Sequence, residues 1–78
     1  MAVLRLFAAA REAAGTGRDV VAGATVGAVL GEARRRYGDD FTRLLGSCQV
    51  WRNGEPASAG DAVGDDDELA VLPPVSGG

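Results

Sequence analysis

TVGAVLGEARRRYG, residues 25–38, is the stretch on which the fold turns. Thr25 is a favoured N-cap residue standing directly before an apolar series. Val26, Leu30, Ala33 and Tyr37 follow at steps of four, three and four, which is one face of an α-helix. Arg34, Arg35 and Arg36 fall in the last turn, where the helix dipole favours cations, and Gly38 suits the position just past the end. Gly27 and Gly31 each weaken such a helix by about 1 kcal/mol relative to Ala. They are expected to let it approach a sheet closely. A helix with one apolar stripe needs one apolar surface to cover.

The flanking segments supply that surface. AVLRLFA, residues 2–8, alternates, with Leu4 and Leu6 on one side and Val3, Arg5 and Phe7 on the other. AAREAA, residues 9–14, favours a helical turn that Gly15-Thr16-Gly17 breaks, and RDVVA, residues 18–22, reads as a second strand returning along the first. Beyond the helix, DDFTRLLG (39–46) suits a short helical turn that adds Phe41, Leu44 and Leu45 to the core. CQVWR (48–52) is a strand stopped by the turn dipeptide Asn53-Gly54. Residues 55–64 are small and polar, a loop with a short strand. ELAVL (68–72) is the last strand, ended by Pro73-Pro74, which lack backbone N–H groups. One main helix on a mixed sheet buries these faces most simply. The expectation is an α+β fold of β-grasp type, as in ubiquitin. By fold-level analogy its first and last strands lie parallel at the centre.

Composition narrows the function. The chain has 78 residues, 46% hydrophobic and 24% charged, as expected of a single small globular domain. Nothing in it reads as a signal peptide or a membrane helix. A single cysteine, Cys48, fits a reducing, cytoplasmic setting and is expected to be buried and inert. Net charge −3 disfavours nucleic acid as a partner. All eight basic residues are arginine. With no histidine and one cysteine, neither a catalytic triad nor a common zinc site is expected. The run Asp65-Asp66-Asp67-Glu68 reads either as a solvated turn or as a steering charge toward basic partner surfaces.

The end of the chain, VLPPVSGG, joins a stiff exit from the sheet to two residues without side chains. Taken with FAAAREAAG (7–15), TVGAVL (25–30), VWRNGE (50–55) and GDDDELAVLPPVSGG (64–78), it resembles the MoaD family, the small subunits of molybdopterin synthase within the MoaD/ThiS sulfur-carrier superfamily. The likeness spans nearly the whole chain. It departs at Asp67, a third acidic residue in the turn, and at Trp51, where a smaller residue is common.

The resemblance implies a carrier that binds no cofactor of its own and is not itself an enzyme. A partner adenylyltransferase, like the ubiquitin-activating enzymes, spends ATP to convert the carboxylate of Gly78 to an acyl-adenylate. A persulfide-bearing donor turns it into a thiocarboxylate, and the large subunit of molybdopterin synthase passes the sulfur to a cyclic pterin. Gly77 gives clearance in a narrow channel. Residues 1–74 are then the β-grasp domain and 75–78 a flexible tail, stiffened at its base by Pro73 and Pro74 and anchored by Val75. Phe7 and Leu72 point away from the helix on adjacent strands and are expected to form an exposed apolar patch for partners. Trp51 reads equally as core or as part of that patch. Arg11 matches the family's recurrent arginine and is expected to serve the fold by pairing with a local carboxylate or carbonyl. Alternatives within reach of the same residues are a sulfur carrier for thiamin, cysteine or secondary metabolites, a ubiquitin-like modifier joined to lysines, and a plain binding module with an idle tail.

Overall fold

A computed structural model describes residues 1–74, so Val75, Ser76, Gly77 and Gly78 lie outside the described residues. Five strands and three helices follow one another as β1 (Ala2–Leu6), α1 (Ala8–Ala14), β2 (Arg18–Val21), α2 (Val26–Tyr37), α3 (Asp39–Leu45), β3 (Gln49–Arg52), β4 (Glu55–Pro56) and β5 (Glu68–Leu72). The sheet order is β2-β1-β5-β3-β4. β1 and β5 run parallel at its centre, and the other pairs are antiparallel. This is the β-grasp arrangement.

Period-two alternation sets the core. Ala2, Leu4 and Leu6 of β1 are buried while Val3 and Arg5 between them are not, and β5 buries Leu69 and Val71 in the same way. Val21 joins them from β2, and α2 covers all of them with Val26, Val29, Leu30 and Ala33. Val29 belongs to the stripe although the four-three-four steps pass it by. An apolar helix face wider than about 100° takes in the residue between Val26 and Ala33. Tyr37, placed on the stripe by its spacing, sits half-buried at its end and meets the fully buried Phe41 of α3 edge-to-face, with ring centroids 5.1 Å apart.

The start of α2 shows why Gly27 is there. Thr25 Oγ1 accepts from Ala28 N at 3.1 Å, the Asp61 carbonyl from Val26 N at 2.9 Å, and the Ala59 carbonyl from Gly27 N at 2.8 Å. The loop after β4 thus satisfies the orphan donors of the first turn. A Cβ on Gly27 would stand 3.1 Å from that Ala59 oxygen, so the close approach is to this loop rather than to the sheet. Gly31 corrects the expectation further: it is exposed, with open space where a Cβ would be. At the β3–β4 hairpin, Asn53 (φ 50) and Gly54 (φ 84) both take the left-handed conformation that a two-residue primed turn demands. No helix among the described residues is long and apolar enough to cross a membrane.

Candidate functional site

The described end of the chain leaves from the middle of the sheet. β5 lies between β1 and β3, and Leu72, Pro73 and Pro74 follow along a shallow hollow shared with Ser47 and Gln49. Beside this exit β1 ends. Phe7 N donates to the Val71 carbonyl at 3.3 Å, and Ala8 then takes φ 49, a left-handed value for a residue with a Cβ, as the chain turns into α1. Phe7 is 39% exposed, and the Arg5 guanidinium lies over its ring, 5.8 Å from the centroid. Leu72 is half-buried, so it adds less to an exposed patch than its alternation suggests.

Register resolves the facing of Trp51. It pairs with Ala70, and Gln49 pairs with Leu72, while Val50 between them pairs with the buried Val71. Trp51 therefore lies on the helix-free side of the sheet, and its indole Nε1 donates to Gln49 Oε1 at 3.3 Å. Parallel pairing puts Arg5 beside Ala70 on that same side. Phe7, Trp51 and Leu72 are thus brought to one face, with Pro73 and Pro74 at the end of β5, whereas Val75, Gly77 and Gly78 fall outside the described residues.

The same face holds a residue that sequence reading left out. Val20 is 40% exposed and pairs with Val3. The signal was present in RDVV, since two adjacent valines in a strand cannot both point inward.

Two expectations change and a third is refined. Cys48 is half-buried rather than buried; its Sγ lies 3.3 Å from the Leu44 carbonyl, and burial pushes its thiol pKa up, which holds it protonated. It lines a cleft of about 430 Å³ between α2 and β3, with Val26, Leu30, Val50 and Ala57 among the other walls. Arg11 makes no ion pair among the described residues; its side chain lies across Gly17, where a Cβ would stand 3.2 Å from Nε. The acidic run is a solvated turn, with the Asp65 side chain 90% exposed, and its third residue also closes a clasp. The Asp67 carboxylate accepts from Gly64 N and from Asn53 Nδ2, both at 2.8 Å, and these bonds hold its pKa below the usual carboxylate value. Asn53 Oδ1 accepts in turn from Glu68 N at 2.9 Å, tying the hairpin to the start of β5. Asp65 pairs with the Met1 amino group, which lowers its pKa as well. The clasp stands at the opposite end of β5 from the exit, and Asp67, the residue that departs from the family pattern, is its centre.

Both edges of the sheet are closed. On β2, Thr16 Oγ1 accepts from Arg18 N at 3.3 Å and donates to Arg18 O at 2.9 Å. Asp19 Oδ1 accepts from Val20 N at 2.8 Å, and Arg36 Nη1 donates to Val20 O at 3.0 Å. Alternate residues of an antiparallel strand aim their backbone groups at one edge, so these side chains occupy the positions a further strand would need. At the other edge β4 has two residues, one of them Pro56.

Comparison with known proteins agrees with this architecture. The ThiS family profile matches residues 4–78. Small archaeal modifier protein 1 of Haloferax volcanii is 42% identical, the alignment covering 95% of this chain and 97% of that one. Its crystal structure superposes with a TM-score of 0.78 over 99% and 98% of the two chains. The solution structure of small archaeal modifier protein 1 from Methanosarcina acetivorans, 29% identical, gives 0.89 over 99% and 95%. A subunit from Helicobacter pylori, solved in the complex of subunits 1 and 2 of molybdopterin-converting factor, is 18% identical over 99% and 97% with a TM-score of 0.75, a likeness of fold alone. With its β-grasp sheet, central exit strand and match through residue 78, the chain belongs to the ThiS family of ThiS/MoaD-like, ubiquitin-fold sulfur carriers.

Proposed function

We propose that this chain is a C-terminally activated carrier that both modifies proteins and carries sulfur, with the Gly78 carboxylate as its reacting group. The single observation that supports this most is the 42% identity, over 95% of this chain, with a small archaeal modifier protein. That relative favours protein modification alongside sulfur carriage over a part confined to molybdopterin synthase. Delivery of sulfur to a pterin through a synthase large subunit remains the second use, supported by the Pro-Pro-Val-Ser-Gly-Gly ending.

The chemistry follows from one activated intermediate. A Gly78 carboxylate oxygen attacks the α-phosphorus of ATP on an adenylyltransferase, and pyrophosphate leaves. A lysine amine of another protein then displaces AMP, forming an amide and releasing a proton. Alternatively a persulfide displaces AMP to give an acyl disulfide; a second thiol of the donor cleaves it to the thiocarboxylate and is left in a disulfide. Either attack needs the acyl carbon to meet its nucleophile away from water, which would hydrolyse the adenylate. Gly77 and Gly78 are thin enough for a narrow channel, and Pro73-Pro74 lower the entropy lost on entering it. Phe7, Leu72 and Trp51 give the partner an apolar surface beside the exit.

Intact mass measurement of the protein from its own cells, under conditions that preserve thioacids and with conjugates isolated in parallel, tests this. Both a species in which sulfur replaces one oxygen and amide-linked conjugates are expected, and both vanish when Gly78 is deleted. Thiocarboxylate without conjugates leaves a dedicated sulfur carrier; the free carboxylate alone, with the activating enzyme active, removes the proposal.

A further inference from the structure

Amide formation at Gly78 needs an acceptor amine, and the chain has little to offer another copy of itself. Its eight basic residues are all arginine, with no lysine and no histidine. A guanidinium stays protonated and has no lone pair with which to attack an acyl group. Cys48 could form a thioester, but its Sγ is half-buried against the Leu44 carbonyl and its thiol is held protonated. Serine, threonine and tyrosine hydroxyls are weak nucleophiles without an adjacent base. One amine is left in the 78 residues, the α-amino group of Met1. Met1 is 58% exposed, and the next residue, Ala2, is already buried in β1 and paired with Val21. Acylation at Met1 therefore adds to the free end of the strand without entering the core. Because β1 runs parallel to β5, this amine lies at the end of the sheet opposite the exit. Its ionic partner there is the Asp65 carboxylate.

Resting on the proposed function, we infer that the Met1 α-amino group is the acceptor through which this carrier is joined to a second copy of itself, and that Asp65 restrains the reaction. The neutral Met1 amine of one copy attacks the Gly78 acyl carbon of another copy's acyl-adenylate. The C–N bond forms, the C–O bond to AMP breaks, AMP leaves with the electron pair, and the amine's proton passes to water. Only a neutral amine has a lone pair to attack with, and the Asp65 carboxylate attracts the ammonium form. An exposed pair of this kind is screened and weak, so Asp65 slows the step without forbidding it. The placement of exit and amine at opposite ends makes this a reaction between copies. For one chain to close on itself, the residues after β5 would have to double back along the sheet, past Pro73 and Pro74, whose rings restrict the backbone. With one donor and one acceptor per copy, the chains so built are linear and do not branch.

Incubation of the full chain with ATP and the adenylyltransferase from the same cells, with no sulfur donor and no other acceptor protein, tests this. ATP–pyrophosphate exchange reports activation in parallel. Amide-linked dimers and longer species should form, and peptide mapping should place every linkage between Gly78 and Met1. Acetylation of the α-amine should abolish them while exchange continues. Asp65→Asn should speed dimer formation about threefold at low salt and by less as salt is raised. Asp66→Asn, the same charge change one residue along, should stay within about 1.5-fold of the parent. Arg34→Lys, on the exposed side of α2, keeps the charge but supplies an amine, and should add branched products joined through residue 34. Dimers that survive acetylation or map elsewhere, no dimers while exchange proceeds, or equal rates for Asp65→Asn and the parent would overturn the inference and leave the carrier chemistry intact. If the unaltered chain supports no exchange with an enzyme shown to be active, the proposed function itself fails.

Discussion

Under α2 the sheet presents Leu4, Val21, Leu69 and Val71, each at 0% exposure, against an equally apolar helix stripe. Its other side presents Phe7 and Val20, Trp51 half-covered beside Gln49, and two arginines facing each other. The same strands make both surfaces, so the difference comes from side-chain parity alone. In β1 the even residues bury and the odd ones do not; a shift of one register position would bury Arg5 and expose Leu4. Stability is concentrated on one side, and the features that folding does not explain are collected on the other.

Two phenylalanines break or uphold that division most directly. Phe41 is fully buried against Tyr37, and Phe41→Ala should cost about 3–5 kcal/mol by loss of burial and creation of a cavity. In a small domain with a thin margin this approaches global unfolding, read as a large fall in the urea midpoint. Phe7→Ala should cost less than about 1 kcal/mol, because much of that ring already faces water. Similar midpoints for the two variants would show that the open face holds the fold together as well.

Next in size is the cluster that ties α2 to the β2 edge. The Tyr37 hydroxyl donates to Asp19, and Arg36 Nη1 donates to the same carboxylate oxygen at 3.1 Å. The tyrosine's bond is the largest influence on the Asp19 pKa; burial, next in size, raises it, and with the bonds from Val20 N and Arg36 the net effect holds it below its usual value. Burial first, then the bond to Asp19, raises the Tyr37 pKa. A carboxyl whose folded pKa is depressed contributes stability that is present above its unfolded value, near 4, and is lost as pH falls through the folded value. A phenol whose pKa is raised contributes below about pH 10 and loses that contribution above it. Tyr37→Phe should cost about 1–2 kcal/mol at neutral pH, the range for a partly buried bond to a charged acceptor. Asp19→Asn should flatten the acid limb of the stability profile relative to the parent. It also removes a support of the closed edge, so light scattering should rise with concentration in the variant before it does in the parent. An unchanged acid limb would mean that other carboxylates carry the pH response.

The legible and illegible parts of the molecule divide by range of interaction. Every strand and helix is visible in the sequence because each is written in local pattern: the alternation of residues 2–6, the apolar steps of residues 26–37, and the Asn53-Gly54 turn. The parallel pairing of β1 with β5 came only by analogy, since nothing local to either strand records its neighbour. The Asp67–Asn53 clasp and the sealing of β2 by Arg36 were not foreseen for the same reason. They join residues 14 and 16 positions apart through side chains whose types are common on any surface. The patch of Phe7 and Leu72 was half legible. Parity gave its side of the sheet, but the depth of Leu72 beside Gln49 and the exposure of Val20 depend on which strands are neighbours. Gly31 was misread because glycine in a helix has several explanations, and only the surrounding atoms tell close approach from open space.

The smallest effect lies where the chain passes from sheet to helix, at Ala8. Its φ of 49 is costly for a residue with a Cβ, and its side chain is exposed, so no packing offsets the cost. Ala8→Gly removes that strain, while the lower helix propensity of glycine matters little at the first residue of α1. The folded protein should gain about 0.5 kcal/mol, less than the full relief of strain because glycine also enlarges the entropy of the unfolded chain. The same change loosens the backbone that aims Phe7. If the bend pre-organises the open face, Ala8→Gly should raise the KM for the chain in ATP–pyrophosphate exchange even as the thermal midpoint rises, setting the two faces against each other at one residue. A fall in stability of more than about 1 kcal/mol would mean that the Ala8 methyl supports the core and that the boundary between the faces lies further along the chain.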